Sequence, residues 1–97
     1  MKVDILAFGA HPDDVELGAA GTLAKEISLG KTVGIIDLTQ GELGTRGSAE
    51  IRLQEAAKAK EVLGAKVREN LKFRDGFFLN DEAHQRAIIQ KIRQYQP

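Results

Sequence analysis

Three short strand-like runs, each followed by a helix-length segment, constrain this chain more than any other feature. They are VDILAFG (Val3–Gly9), VGIIDL (Val33–Leu38) and VRENLKF (Val67–Phe73). The first two have the continuous apolar character of strands buried on both faces. From about Glu16 to Leu29, Leu17, Ala20, Ala24 and Ile27 recur at helical spacing, and Gly30 follows as a C-cap. Small residues (Gly18, Ala19, Ala20, Gly21) at the start of that helix suit close packing on a sheet or the approach of a ligand. Ser48 is placed to cap a helix from Ala49 to Leu63, which Gly64 stops. After the turn Arg74-Asp75-Gly76, Asn80 or Asp81 caps a last helix carrying Ala87, Ile88, Ile92 and Tyr95. Strand and helix alternating in this way predict βαβ units with right-handed crossovers, and so an α/β fold on a parallel sheet.

Length and composition narrow the function. A chain of 97 residues is at most one small domain. Fourteen basic residues balance fourteen acidic ones, so there is no electrostatic footprint for nucleic acid or an anionic membrane. Cysteine is absent, which removes disulfides, thiolate metal sites and cysteine nucleophiles together. No apolar run approaches the roughly 20 residues that span a bilayer. Lys2 and Asp4 at the first apolar segment do not fit a secretory leader, and the expected setting is the cytoplasm. Three parallel strands do not usually bury both of their faces, and Pro97 falls where a fourth strand is due. Residues 1–97 therefore read as the N-terminal part of a single longer domain. The apolar surroundings of the first strand in so short a sheet favour homo-oligomer formation.

Ligands of open parallel sheets bind beyond the carboxyl ends of the strands. Three polar loops meet that edge: His11-Pro12-Asp13-Asp14 after the first strand, the Gly41–Gly47 segment after the second, and Asp75-Gly76 after the third. Four ionisable groups within six residues, from His11 to Glu16, are costly to bury without partners. A capped, solvated loop and a metal site both accommodate them. Pro12 stiffens the backbone, and His11 and Asp14 are spaced so that both can turn toward one ion. Imidazole nitrogen with carboxylate oxygen is an ordinary zinc ligand set, and Asp13 could then act as a base toward water.

Arg52, Ala56, Ala59 and Leu63 form one stripe of the Ala49–Leu63 helix, with Glu55 beside it. Arg52 and Glu55 are either an intrahelical pair worth a few tenths of a kcal/mol or a guanidinium steadied for a substrate oxygen. His84 is expected to be a solvated helical histidine. Glycines 41, 44 and 47 fit a lid, a phosphate cradle or a plain connector, but neither G-x-G-x-x-G nor G-x-x-x-x-G-K-[ST] is present.

Together AHPDDVELGAAGT (10–22), DLTQGELGTRG (37–47) and RLQEAAKAKEVLG (52–64) resemble the LmbE/PIG-L family of zinc-dependent N-acetylglucosamine deacetylases. Within it, the pattern is most similar to the bacterial N-acetylglucosaminyl-malate deacetylases of bacillithiol biosynthesis. The resemblance implies a Rossmann-like, three-layer αβα fold, of which this chain holds the first three βα units. It implies one zinc ion and hydrolysis of the acetamide of a small amino-sugar conjugate. By motif position His11 and Asp14 would be zinc ligands, Asp13 the general base and Arg52 a substrate-gripping residue. Glu42 and Arg46, in the glycine-rich segment, would also face the substrate. The family's third zinc ligand comes from a second histidine motif after the fourth strand, beyond Pro97. Two other classes compete. A phospho-receiver-like module would hold magnesium with the acidic pair, but it needs an acceptor aspartate where Asp75 fits loosely, and it leaves His11 without a role. A non-catalytic scaffold with vestigial ligands is the third.

Overall fold

The computed structural model describes residues 1–44 and 48–97. Its elements are β1 (Ile5–Gly9), α1 (Asp14–Ser28), β2 (Val33–Thr39), α2 (Ala49–Leu63), β3 (Val67–Phe73) and α3 (Glu82–Tyr95). The strands form one parallel sheet in the order β1-β2-β3, which is the α/β architecture expected from the alternation.

Neighbouring strand residues point to opposite faces of a sheet, and the core divides accordingly. On one face Val33 and Ile35 of β2 pack with Val15 and Leu23 of α1 and with Ala65, and Leu63 of α2 joins them. On the other face Val3 and Ile36 pack with Tyr95 of α3. Three layers result, with α1 and α2 on one side of the sheet and α3 on the other. The Val3 N–H donates to the Tyr95 carbonyl at 2.9 Å, which ties the end of α3 to the chain entering β1. No helix among the described residues is long and apolar enough to cross a membrane.

Local chemistry sets the helix ends. Ser48 caps α2 by accepting from the Ile51 N–H, and Asp81 caps α3 by accepting from the His84 N–H, each worth about 1 kcal/mol. Helix α1 begins at Asp14, two residues before the expected start at Glu16. The turn at His11 already delivers the chain in helical register, and Asp14 and Glu16 then complement the positive end of the helix dipole.

Three expectations need correction. Leu17 is 82% exposed, because the buried stripe of α1 runs through Val15, Ala19, Leu23 and Ile27. A side chain added at Gly18 or Gly21 would meet nothing within 4 Å, so those glycines do not serve packing on the sheet. His84 is not simply solvated: its ring meets Phe73 edge-on, with centroids 4.5 Å apart.

Strand β3 forms despite its charged sequence because those groups find partners. The Asn70 amide donates to the Thr39 carbonyl, and its oxygen accepts from the Lys72 N–H, both at 2.7 Å. These bonds secure the register irregularity between Asp37 and Thr39 and the left-handed backbone of Lys72.

Candidate active site

The turn after β1 is built by its own residues. The His11 N–H donates to Asp14 Oδ2 at 2.9 Å, and the Asp14 N–H donates to the His11 carbonyl at 3.1 Å. The same carboxylate lies 3.3 Å from His11 Nδ1. Asp13 occupies the N-cap position of α1, but its carboxylate makes no capping bond. From the neighbouring strand, the Thr39 hydroxyl and N–H both donate to the Ala10 carbonyl.

The other two loops close on this turn. His11 Nε2 is 2.9 Å from Asp75 Oδ1, a carboxylate 64 residues further along the chain. Asp75 also accepts the Leu43 N–H through Oδ2, and its own N–H donates to the Glu42 carboxylate, each at 2.9 Å. With its side chain only 7% exposed, Asp75 is the junction of the three loops. Sequence reasoning placed it at the right edge but gave it no role in the site. The signal was there in Asp75-Gly76, a carboxylate in the turn after the third strand.

Charge follows this geometry. Burial works to lower the His11 pKa, but the Asp75 and Asp14 carboxylates outweigh it and raise it above the ordinary histidine value. The Leu43 N–H, aided by His11, holds Asp75 below the usual carboxylate range. The Asp75 N–H does the same for Glu42.

Arg52 sits against the loop after β2. A Cβ at Gly44 would stand 2.2 Å from a guanidinium nitrogen of Arg52, and one at Gly41 would stand 2.9 Å from the other. These two glycines therefore make room for the arginine as it lies across the loop. Two clefts share Asp13 and Arg52 as common walls. One, of about 400 Å³, also has His11, Leu43 and Asp75. The other, of about 570 Å³, continues between α1 and α2 past Glu16, Glu55 and Ala56. Arg46 lies outside the described residues.

The donors fit part of a zinc site. The His11 imidazole nitrogen and the Asp14 carboxylate oxygen lie 3.3 Å apart, on side chains 44% and 43% exposed. Among the described residues no group of three histidine, cysteine or carboxylate side chains is clustered to hold a metal, whereas a catalytic zinc keeps three protein ligands.

The model of the GlcNAc-PI de-N-acetylase family, PIG-L, matches residues 6–97. The chain belongs to the PIG-L family. A diacetylchitobiose deacetylase of Thermococcus kodakarensis is 31% identical over 100 aligned positions, which cover 96% of this chain and 38% of the relative. The crystal structure of a conserved Thermus thermophilus protein, TT1542, is 41% identical with a TM-score of 0.88, over 95% of this chain and 42% of that one. A 4-carboxy-2-hydroxymuconate hydratase of Pseudomonas putida, GalB, is 27% identical with a TM-score of 0.84, over all of this chain and 45% of its own. The chain thus spans about two fifths of the length of these relatives. A deacetylase and a hydratase on one framework show that the fold alone does not choose the reaction.

Proposed function

We propose that this chain carries the first half of the active site of a zinc-dependent N-deacetylase acting on an N-acetylglucosamine conjugate. The observation that supports it best is the meeting of His11, Asp13, Asp75 and Arg52 around one cleft, with the Asp14 carboxylate against His11. His11 and Asp14 would hold the zinc, with a third ligand supplied from outside these residues. When bound, zinc would polarise the acetyl carbonyl and bring the pKa of a water molecule to about 7.

The chain's own residues do the rest. Asp13 takes a proton from the attacking water and returns it to the departing amine, so proton transfer balances across the hydrolysis. Asp75 holds the far nitrogen of His11, which fixes the ring orientation and leaves Nδ1 toward Asp14. Arg52 offers a guanidinium to a substrate oxygen, and Glu42 and Arg46, by their positions in the motif, would add further polar contacts to the substrate. An anionic aglycone such as malate suits these arginines, which favours N-acetylglucosaminyl-malate and a place in bacillithiol biosynthesis.

The test is acetate release by the complete protein from N-acetylglucosaminyl-malate and from diacetylchitobiose, with and without zinc. Zinc-dependent release with preference for the malate conjugate supports the reading, and preference for chitobiose moves the aglycone assignment. Arg52→Ala should raise KM or lower kcat, and unchanged kinetics would remove it from the site. Residues 1–97 alone, with two ligands, should not turn over efficiently. A receiver-like module would instead label with acetyl phosphate. Asp75, already engaged by His11 and by the Leu43 N–H, predicts no such labelling.

A further inference from the structure

Arg68 is the second residue of β3, with its side chain only 5% exposed. Its Nε donates to Asp37 Oδ2 at 2.8 Å and its Nη2 to Asp37 Oδ1 at 3.0 Å, a two-pronged grip on a carboxylate that is itself 2% exposed. The second hydrogen of Nη2 goes to the Pro12 carbonyl at 2.5 Å. Both hydrogens of that nitrogen are then used, so Glu16 Oε1, 2.9 Å away, contributes charge rather than a hydrogen bond. A guanidinium has the planar fork for such simultaneous contacts, and an ammonium does not.

The Pro12 bond is the one with a consequence beyond packing. Pro12 lies inside the His11–Asp14 turn, and the Ala10 carbonyl just before it is held by Thr39 of β2. Two alternate carbonyls, one just before the turn and one within it, are thus pinned from two strands, Ala10 from β2 and Pro12 from β3. We propose that Arg68 is a positioning residue, whose guanidinium, clamped by Asp37, holds the Pro12 carbonyl and so fixes the turn that presents His11, Asp13 and Asp14. This assignment rests on the reading of that turn as the metal and base loop. The partners of Arg68 are Asp37, Glu16 and the Pro12 carbonyl, so it acts on His11, Asp13 and Asp14 through the backbone.

The double variant Arg68→Met/Asp37→Leu separates positioning from folding in the complete protein, since replacing a buried ion pair by apolar residues is often neutral for stability. Two properties are read: amide hydrogen exchange at His11 and Asp14, and the affinity and visible spectrum of cobalt(II) bound in place of zinc. The expected result is exchange at His11 and Asp14 faster by about tenfold or more while Ile35 and Ile36 stay protected. Cobalt affinity should fall about 10- to 100-fold, as for other groups that orient metal ligands, with a changed spectrum. A folded double variant with exchange and cobalt binding within twofold of the parent overturns the proposal. So does acceleration spread evenly over turn and sheet. If the double variant does not fold, Arg68→Lys decides on the same readouts, because it keeps the charge for Asp37 but loses the fork that reaches Pro12. If the parent itself takes up no cobalt, the metal reading fails, and exchange at His11 and Asp14 alone decides the role of Arg68.

Discussion

Arg68 and Glu69 are adjacent in β3, and because strand residues alternate they serve opposite faces of the sheet. On the α1/α2 face Arg68 joins Asp37, Glu16 and the Pro12 carbonyl, directly beneath the candidate active site. On the α3 face Glu69 accepts from the Tyr95 hydroxyl and from Lys91 Nζ. Both are charged groups that a strand at the edge of a small sheet can hold only with partners. They differ in what the partners are. Arg68 binds a loop that carries ionisable groups and no regular structure of its own, whereas Glu69 binds a helix that already has its cap, its apolar stripe and a buried tyrosine. One network should therefore govern activity, and the other stability alone.

The largest expected effect lies on the first face. Asp13→Asn should reduce acetate release by roughly 10²- to 10⁴-fold, the usual contribution of a general base, with no change in melting temperature. A variant that keeps most of its activity would show that another group takes the proton. Next in size is Asp37→Leu alone, which strands the Arg68 guanidinium without its two-pronged partner. That change should cost about 3 kcal/mol in urea unfolding, the order expected when one member of a buried pair is removed. A loss below 1 kcal/mol would mean that Glu16 can replace Asp37, and the clamp would be weaker than drawn.

On the second face the effects shrink and activity should not move. Tyr95→Phe removes one hydrogen bond and should cost about 1 kcal/mol, with unchanged acetate release. Any fall in kcat there would break the division between the faces.

The smallest effect is a titration. The hydrogen bond to Glu69, with burial and the carboxylate charge adding to it, raises the Tyr95 pKa to about 12. Tyr95 is the single tyrosine of these 97 residues, so the difference in phenolate absorbance between the parent and Tyr95→Phe reads it. A group whose folded pKa is raised stabilises the fold below its unfolded pKa and loses that stabilisation as pH rises through the folded value. Stability from this contact should be complete below pH 10 and decline toward pH 12. In Glu69→Gln the absorbance midpoint should fall back toward 10, and a midpoint that stays put would assign the shift to burial. At the acid end the sign reverses for Glu69. Its pKa is lowered against the opposing effect of burial by Tyr95 and Lys91, so its contribution is present above the ordinary glutamate value and lost as pH falls below it.

Much of the fold is legible in the amino-acid sequence, because it is written in local signals. Ser48 and Gly64 bracket α2, and the helix occupies Ala49–Leu63 as expected. The site could be read only where its residues are neighbours in the chain, as in His11, Asp13 and Asp14. Asp75 reaches His11 across 64 residues, and Arg68 reaches Asp37 across 31. No periodicity or motif spacing encodes such pairings. Arg68 and Glu69 even weakened the case for β3, since a strand buried on both faces is expected to be apolar and their partners lie on other elements. Leu17 misled for a related reason: two interleaved sets of apolar positions in α1 share helical spacing, and only packing against β2 selects the one through Val15 and Leu23.

The most direct test of the central claim is the metal dependence of the His11–Asp14 turn in the complete protein. Chelator-treated protein should release no acetate and regain activity with one zinc per chain, and Asp14→Ala should lose both the zinc and the activity. Full activity after chelation, or stoichiometric zinc retained in the Asp14→Ala variant, would contradict the reading of this turn as a metal site.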